Sequence, residues 1–308
     1  MSMRKRYLFI VSIAAFLFIS LNDSERNTLN NNGWISLFDG YSLPPFHHYL
    51  GRPDSSINVP GLKRDSSGNY IESLGWNDPL KVFSITTLDN EPVIRISGQV
   101  IGGLVLADSL ADYHLKLKFR WGSIKWGWMK GRPNDGGILY HSANGVRHEF
   151  QIQEGDIGSY WSRNIIADIP CKLSTDIPSS IQQLRPYIQR EVHSLHDTML
   201  IFNQKAGLHH FSGDKDWQIV LAHPCKENSF GGWNTMELIC YKNHSVHIVN
   251  GKVNMIVLNA KVKNNNSIIP LCYGKLILQS GGSEIFFKDI FVKEIKEMPV
   301  VLKNFLHN

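Results

Sequence analysis

The chain has 308 residues, of which 43% are hydrophobic, and a formal net charge of +5. This composition is typical of a folded protein with a large core, and it excludes disorder for most of the chain. Basic residues are concentrated only in the first six positions and are otherwise interspersed with acidic ones, so a nucleic-acid groove is not indicated. The length permits two average domains, but all-β sandwiches of about 200 residues or more also fold as one unit, so the sequence pattern has to decide.

Residues 1–26 have the pattern of a targeting segment. A basic stretch, MSMRKR, precedes the apolar run 7–21, and polar residues follow. The apolar run is short for a bilayer-spanning helix, which needs about 20 residues. We therefore expect a cleaved signal peptide, with an uncleaved N-terminal anchor as the alternative. The mature protein is expected to be exported to the periplasm or the extracellular space, with membrane contact only through this segment if it is retained.

The cysteines Cys171, Cys225, Cys240 and Cys272 have no spacing that is typical of a metal site. In an exported protein they can oxidise in any of three pairings. Cys171 and Cys225 each follow a proline in loop-like sequence, so this is the pair we expect if a disulfide forms. The alternative is that Cys240 and Cys272 are buried free thiols.

Short apolar segments bounded by Gly, Asn, Asp or Pro recur along the chain, which is typical of antiparallel strands in a β-sandwich. In the segment 113–121, apolar and basic side chains alternate, so one face is expected to pack and the other to meet solvent or ligand. Asn250 and Gly251 separate two apolar runs and predict a type I′ hairpin turn. The predicted strands are 34–40, 92–98, 102–108, 113–121, 136–142, 148–153, 233–241, 245–258, 274–280 and 284–295.

Between residues 164 and 232 the strand pattern breaks, because polar residues and prolines interrupt the apolar runs. We expect a long loop insertion here rather than a second domain. The insertion contains His193, His196, His209 and His210. Since no carboxylate or cysteine spacing supports a metal site, these are expected to be surface histidines.

The segment 136–161 concentrates histidines, carboxylates and amides on a predicted strand pair. In HEFQIQE, the apolar Phe150 and Ile152 alternate with Glu149, Gln151 and Gln153, so the period of two sends the polar set to the face opposite the core. This face is the predicted working surface.

Six motifs follow one another along the chain: GWISLFDG (33–40), ADYHLKLKFRWG (111–122), NDGGILYHS (134–142), HEFQIQEGDIGSYW (148–161), GGWNTMELICYKNHSVHIVNGKVN (231–254) and LILQSGGSEIFFKDIFVKEI (276–295). By their order and spacing they resemble the 3-keto-disaccharide hydrolase family, formerly a domain of unknown function. The resemblance covers residues 33–297 and leaves 298–308 as a C-terminal tail. It implies an all-β, concanavalin-like jelly-roll sandwich of two antiparallel sheets, here with the long loop insertion.

The reaction that the resemblance implies starts from a glycoside oxidised to a ketone at C3, which acidifies the C2 hydrogen. A base removes that proton, the glycosidic oxygen leaves C1, and water adds to the resulting enone; an acid and an enolate stabiliser are also needed. Glu149 is the predicted base, and His141 is a base or an acid at the end of the adjacent strand. Glu154 and Asp156, in the following turn, are candidate proton donors. They are also candidate oxygen ligands for a divalent cation, which is the one cofactor that the sequence suggests. The sequence does not assign a metal site.

The expected partner of this surface is a carbohydrate, a 3-keto-glucoside or a related disaccharide. The predicted sugar-binding residues are Gln151, Gln153, Arg120, Tyr160 and Trp161, whose amides and guanidinium supply hydrogen bonds and whose rings supply stacking faces.

Two alternatives stay open. A retaining glucanase of the concanavalin-like class uses an E-x-D-x-x-E pattern, and here the glutamates Glu149 and Glu154 have that spacing while Gln151 replaces the aspartate, which argues against this class. A noncatalytic carbohydrate-binding lectin needs the polar face but no base.

Overall fold

The computed structural model describes residues 33–143, 145–177, 179, 181–183, 198–213, 215, 217–265 and 267–306. The predicted targeting segment 1–26 and the histidines His193 and His196 lie outside these residues. None of the helices in the described part of the chain has the length and apolar character that a membrane span requires.

Twelve of the described strands form one antiparallel sheet, ordered β11-β10-β16-β15-β14-β6-β19-β4-β3, with β1, β12 and β17 paired off this path to β19, β10 and β16. Their bounds are β1 Ile35–Ser36, β3 Phe83–Leu88, β4 Glu91–Ile96, β6 Tyr113–Lys125, β10 Ile166–Ser174, β11 Met199–Phe202, β12 Leu208–Ser212, β14 Asn234–Tyr241, β15 His244–Val249, β16 Lys252–Asn264, β17 Ser267–Pro270 and β19 Ser283–Glu294.

The second sheet is antiparallel with seven described strands, ordered β13-β9-β8-β7-β18-β5-β2. Its strands are β2 Phe46–Leu50, β5 Gly102–Leu110, β7 Asp135–Ala143, β8 Val146–Gln153, β9 Tyr160–Arg163, β13 Gln218–Val220 and β18 Gly274–Ser280. A 3-10 turn, Gly127–Met129, follows β6, and the helix α1 Val300–Leu306 closes the described chain.

The two sheets pack face to face over one main apolar core. Leu115, Leu117 and Phe119 of β6 are buried against Phe150 and Ile152 of β8 in the same cluster. Because every second residue of β6 and β8 faces this core, the alternation of apolar and polar residues along these strands determines which side chains enter it. The predicted all-β sandwich of two antiparallel sheets is confirmed.

The expectation of a long loop from 164 to 232 was wrong for part of this segment, because β10, β11, β12 and β13 all lie within it. Ile165, Ala167 and Ile169 are buried with Val257 of β16 in a second apolar cluster. β11, β12 and β13 are only three to five residues long, and Asp168, Pro170 and Lys172 interrupt the apolar run of β10, so their period of two was hard to recognise in the sequence.

All four cysteines are free thiols, so the pair Cys171 and Cys225, which the sequence favoured if a disulfide forms, is not bridged. Cys171 is buried in the second apolar cluster, whereas Cys225 packs against the main core. Cys240 is a buried free thiol, as the alternative predicted, and Cys272 is free but only half-buried.

The predicted hairpin turn joins β15 to β16. Asn250 and Gly251 have φ angles of 48° and 74°, the left-handed values that a type I′ turn requires. The Asn250 side chain also accepts a hydrogen bond from the backbone N–H of Thr235 (2.8 Å) and donates one to the carbonyl of Lys226 (2.7 Å). The turn therefore also anchors the neighbouring loop.

Histidines and tyrosines form a buried polar cluster between the sheets. The Tyr140 hydroxyl lies 2.8 Å from Oγ of Ser245 and 2.9 Å from Nε2 of His247. The Tyr160 hydroxyl lies 2.8 Å from Nδ1 of His148, and the His148 ring stacks on Tyr140 with centroids 4.7 Å apart. Pairing within the cluster offsets the cost of burying these polar groups.

Burial keeps the histidines of this region neutral. It lowers the pKa of His141 to about 4 and that of His247 to about 3, since a charged imidazolium is poorly solvated there. The pKa of His148 is lowered mainly by the same desolvation and further by the neighbouring His141 and His247. Protonation of these rings therefore opposes folding.

In the unfolded chain these histidines have pKa values of about 6.5, whereas in the folded protein their pKa values are lower. The free energy of unfolding should therefore be highest above about pH 6.5 and should fall below it, because the unfolded chain then binds more protons. We expect the free energy of unfolding to drop by roughly 2 kcal/mol per buried histidine between pH 7 and pH 4.5. Urea unfolding at a series of pH values measures this. His247→Gln should make the decline shallower and the exposed His209→Gln should not; equal slopes in all three proteins would contradict the explanation.

Candidate active site

The outward face of β8 carries the candidate site. Glu149, Gln151 and Gln153 alternate along β8 with the core residues Phe150 and Ile152, as predicted. All three polar side chains are nevertheless buried, with exposed fractions of 4%, 4% and 1%. The strand is therefore covered on both faces, and we call this buried polar face, with the side chains that cover it, the recess.

Two side-chain oxygens converge above Gly137 of β7. A methyl group added to Gly137 would lie 2.7 Å from Oε1 of Glu149 and 3.0 Å from Oε1 of Gln279, so only a glycine leaves room for both. Gln279 lies on β18 and was missed by the sequence analysis. The alternation in GKLILQS, in which Leu276 and Leu278 face the core, was the available signal.

The amides around this point have buried atoms without a hydrogen-bond partner. Nε2 of Gln151 donates to Oδ1 of Asp135 (2.7 Å), a second residue that the sequence analysis missed. Oε1 of Gln151, Nε2 of Gln153 and Oε1 of Gln279 have none in the structure. Since buried polar atoms are normally paired, each of these atoms has the capacity for one more hydrogen bond, to water or to a ligand.

Trp161 forms the wall on the β9 side of Glu149. It is the direct cross-strand neighbour of Glu149, its ring packs edge-on against Trp217 at 5.6 Å, and its buried Nε1 has no partner. An apolar cluster from the 164–232 segment, including Ile177 and Ile219, supports it from behind. The insertion thus builds one end of the recess.

A positive charge lies beside the carboxylate of Glu149. The Arg147 guanidinium is 4.0 Å from Oε2 of Glu149, and it also lies over the Trp217 ring at 5.3 Å. Arg163, its cross-strand neighbour, lies over the same ring at 5.1 Å. The Trp217 ring therefore holds both guanidinium groups at this end of the sheet.

His141 does not share the face of Glu149. The predicted hairpin of β7 and β8 is present, but its register shifts between Tyr140 and Ala143, and His141 has a positive φ of 43°. The ring lies against Tyr113, Tyr140 and His148 in the interior. The bulge turned inward a side chain that regular alternation would have placed beside Glu149.

Glu154 lies in the turn at the end of β8. Its Oε2 accepts hydrogen bonds from the backbone N–H and the side-chain amide of Asn134, both at 2.9 Å, and lies 3.4 Å from Nζ of Lys125. Glu154 and Lys125 line an open pocket of about 430 Å³ together with Arg132 and Ser179. Glu154 is thus held at the rim and not on the polar face of the strand.

Asp156, in the same turn, is fully buried. Desolvation raises the pKa of its carboxyl group well above the ordinary value, and the Ser159 hydroxyl beside it opposes this shift. That hydroxyl in turn accepts a hydrogen bond from the backbone N–H of Ala222 at 2.7 Å. The surroundings of Asp156 favour an uncharged acid in the protein interior.

Two predicted sugar-binding residues lie elsewhere. Arg120 is in the other sheet, where it pairs with Asp89 at 2.8 Å, and Tyr160 lies in the interior with its hydroxyl against His148. Of the predicted site residues, the structure gathers Glu149, Gln151, Gln153 and Trp161 on one face. It places His141, Asp156, Arg120 and Tyr160 away from that face and Glu154 at its rim.

The described residues contain no group of three or more His, Cys, Asp or Glu side chains arranged to hold one metal ion. The carboxylates nearest the recess, Glu149 and Asp135, are accompanied there by amides, which are neutral oxygen donors.

The fold and this face define an all-β sandwich with a buried, amide-rich recess on one sheet. A family model described as the 3-keto-alpha-glucoside-1,2-lyase-like domain matches residues 33–293, so the chain belongs to this family. The resemblance drawn from the sequence is thereby confirmed, and membership supports a carbohydrate-active role. No curated protein sequence matches the chain.

Several solved structures align with this chain. One, described as a candidate glycosyl hydrolase from Parabacteroides distasonis, is 14% identical, with a TM-score of 0.44 over 90% of this chain and 98% of that one. Domain 4 of an extracellular arabinanase from Geobacillus stearothermophilus, in complex with arabinotriose, is 9% identical, with a TM-score of 0.37 over 84% and 98%. A carbohydrate-binding module from Bacillus subtilis is 6% identical, with a TM-score of 0.35 over 69% and 92%.

Burial raises the pKa of Asp156, so its carboxyl group does not oppose folding below its ordinary pKa. The protein loses stability as the pH rises through the raised pKa, because the carboxylate would then be charged in the interior. We therefore expect Asp156→Asn to stabilise the protein at pH 8 and to leave it unchanged near pH 4. Thermal unfolding at both pH values measures the difference. The exposed Glu72→Gln serves as the control, and an Asp156→Asn protein that is less stable than wild type at pH 8 would show that the carboxylate is charged and paired.

Proposed function

We propose that this protein cleaves the glycosidic bond of 3-keto-glycosides by removing the C2 proton with Glu149. The observation that carries the proposal is the convergence of the Glu149 carboxylate and the Gln279 amide above Gly137, on a face with further unpaired amide atoms. Family membership supports the choice of an oxidised sugar as substrate.

The ketone at C3 makes the C2–H bond acidic enough for a carboxylate to act on it. When Glu149 takes the proton, the electron pair forms an enolate with its negative charge on the C3 oxygen. That pair then returns to form the C1–C2 double bond, the carbonyl reforms, and the C1–O bond breaks. The leaving oxygen takes up a proton, and addition of water across the double bond gives the free 3-keto sugar.

The amides fit the groups that such a substrate presents. Nε2 of Gln153 and the indole Nε1 of Trp161 are buried donors without partners, which suits them to the developing negative charge on an enolate oxygen. Oε1 of Gln151 and Oε1 of Gln279 are acceptors, which suits them to sugar hydroxyl groups. Neutral amides orient the substrate without competing with Glu149 for its proton.

The rival functions make different demands on the site. A retaining glucanase needs two carboxylates facing one glycosidic bond about 5 Å apart. The carboxylate of Glu154 is instead engaged by Asn134 and Lys125 at the rim. A lectin would use the same amides and have no use for the charge of Glu149.

Replacement of the base tests the proposal directly. Incubation with a 3-keto-glucoside and with its unoxidised parent should release the aglycone only from the keto compound. Glu149→Gln should lower kcat by roughly a thousandfold, because general-base catalysis contributes factors of that order. Glu154→Gln is the matched control and should retain most activity. Cleavage of the parent glycoside would support the glucanase, and binding without cleavage in the wild type would support the lectin.

The space above Gly137 gives a second test. Gly137→Ala should push the Glu149 and Gln279 oxygens apart and lower kcat/KM about a hundredfold, because displacement of a catalytic group by an ångström has effects of that size. The atoms that move are the ends of flexible side chains, so the melting temperature should change little. Gly207→Ala, where an added methyl group meets nothing within 4 Å, is the control. Wild-type kinetics in Gly137→Ala would remove this convergence from the mechanism.

A further inference from the structure

A pair of exposed aromatic side chains lies at the far edge of the Glu149 sheet. Tyr49 is on the edge strand β2 and is 43% exposed, and Trp76 in the following loop is 62% exposed. Their ring centroids are 5.2 Å apart with the planes at 72°, so the two rings form a corner. Large aromatic surfaces left in water next to one another often mark a binding site.

Tyr49 points to the same side of the sheet as the site. It is the cross-strand neighbour of Gly103 on β5, and Gly103 is in turn the neighbour of Gln279 on β18. Residues directly opposite each other in neighbouring strands share a face. The row that begins with Tyr49 therefore leads through Gln279 to Gly137, where the Glu149 carboxylate lies.

The floor between the aromatic pair and Glu149 is mostly apolar and remains accessible. Val105 and Ile277 on this face are only half-buried, and Gln279 between them and the site is also half-buried. The buried Oε1 of Gln279 has no hydrogen-bond partner. An apolar floor, aromatic rings at one edge and a free acceptor suit a sugar ring, whose C–H face packs on aromatics while its hydroxyls reach amides.

The aromatic corner lies too far from Glu149 for one sugar ring to contact both. β2 lies four strands from β8, which is about 19 Å at the usual spacing of strands. A sugar ring whose C2 proton faces Glu149 therefore cannot also lie on Trp76. Whatever binds at the corner belongs to a different part of the substrate.

We propose that Tyr49 and Trp76 form a remote subsite for a further sugar ring, so that the substrate is an oligosaccharide that crosses the sheet from β8 to β2. The assignment of the cleaved end rests on the proposed function, because it takes Glu149 as the mark of the reacting ring. The subsite itself rests on the aromatic corner and the row that connects it to Gln279.

Titration calorimetry with unoxidised saccharides tests the subsite without requiring turnover. The probes are maltotetraose and cellotetraose, with maltose and cellobiose as their short counterparts. Wild-type protein should bind one tetrasaccharide more tightly than its disaccharide, and Trp76→Ala and Tyr49→Ala should each weaken tetrasaccharide binding by roughly tenfold, as expected for loss of an aromatic contact. Disaccharide binding should not change.

Tyr273→Ala is the matched control, since Tyr273 is 68% exposed and precedes β18 at the end opposite Gln279. Equal affinity for long and short saccharides, no detectable binding at millimolar concentration, or an equal loss in Tyr273→Ala would overturn the subsite. Cleavage of a 3-keto-disaccharide, measured on the same proteins, separates the two proposals. If the 3-keto-disaccharide is cleaved but the binding results overturn the subsite, the proposed function is retained. If Trp76→Ala and Tyr49→Ala specifically weaken tetrasaccharide binding but no protein cleaves the 3-keto-disaccharide, only the subsite is retained.

Discussion

Burial of polar side chains on the outward face of β8 is the constraint on which the rest of the site depends. Phe150 and Ile152 fix one face of the strand in the core, and the period of two then forces Glu149, Gln151 and Gln153 onto the other. A covered carboxylate and covered amides are costly unless they are paired. The amides are paired only in part, because Oε1 of Gln151 and Nε2 of Gln153 have no hydrogen-bond partner in the structure, and these are atoms that a polar ligand can satisfy.

In the interior of the sandwich, by contrast, the buried polar side chains are paired. Tyr140, Tyr160, His148 and His247 are also buried, yet they pair with one another or with nearby groups. A satisfied network of this kind supports the sheet from beneath. The side chains of the recess above it are carried mainly by paired strands, which hold side chains in place more precisely than loops do.

The two ends of the recess come from unrelated parts of the chain. The wall beside Glu149 is built by Trp161 and by apolar residues of the 164–232 segment, while the open end at the other edge of the sheet carries Tyr49. The insertion thus contributes to the recess, and the edge strand β2 supplies the aromatic surface at the edge of the sheet far from Glu149.

The alternation of apolar and polar residues predicted the structure correctly wherever the strands are regular. It identified β8 with its polar face and the Asn250 and Gly251 turn, whereas the resemblance to the family rested on the order and spacing of several motifs along the chain. It failed for His141, where a bulge reversed the direction of one side chain, and for Arg120, where alternation gave a face without saying which sheet that face belonged to. Gln279 was overlooked because the alternation within β18 shows which face Gln279 occupies but not which strand lies beside it.

The sequence by itself determined the all-β class, most of the long strands and the separation of Glu149, Gln151 and Gln153 from the core, because these follow from the alternation of neighbouring residues. Only the tertiary structure decided that Gln279, Gly137 and Glu149 meet at one point. Those residues are far apart in the chain or on separate strands, and the order and register of strands in a sheet depend on the packing of the whole sandwich.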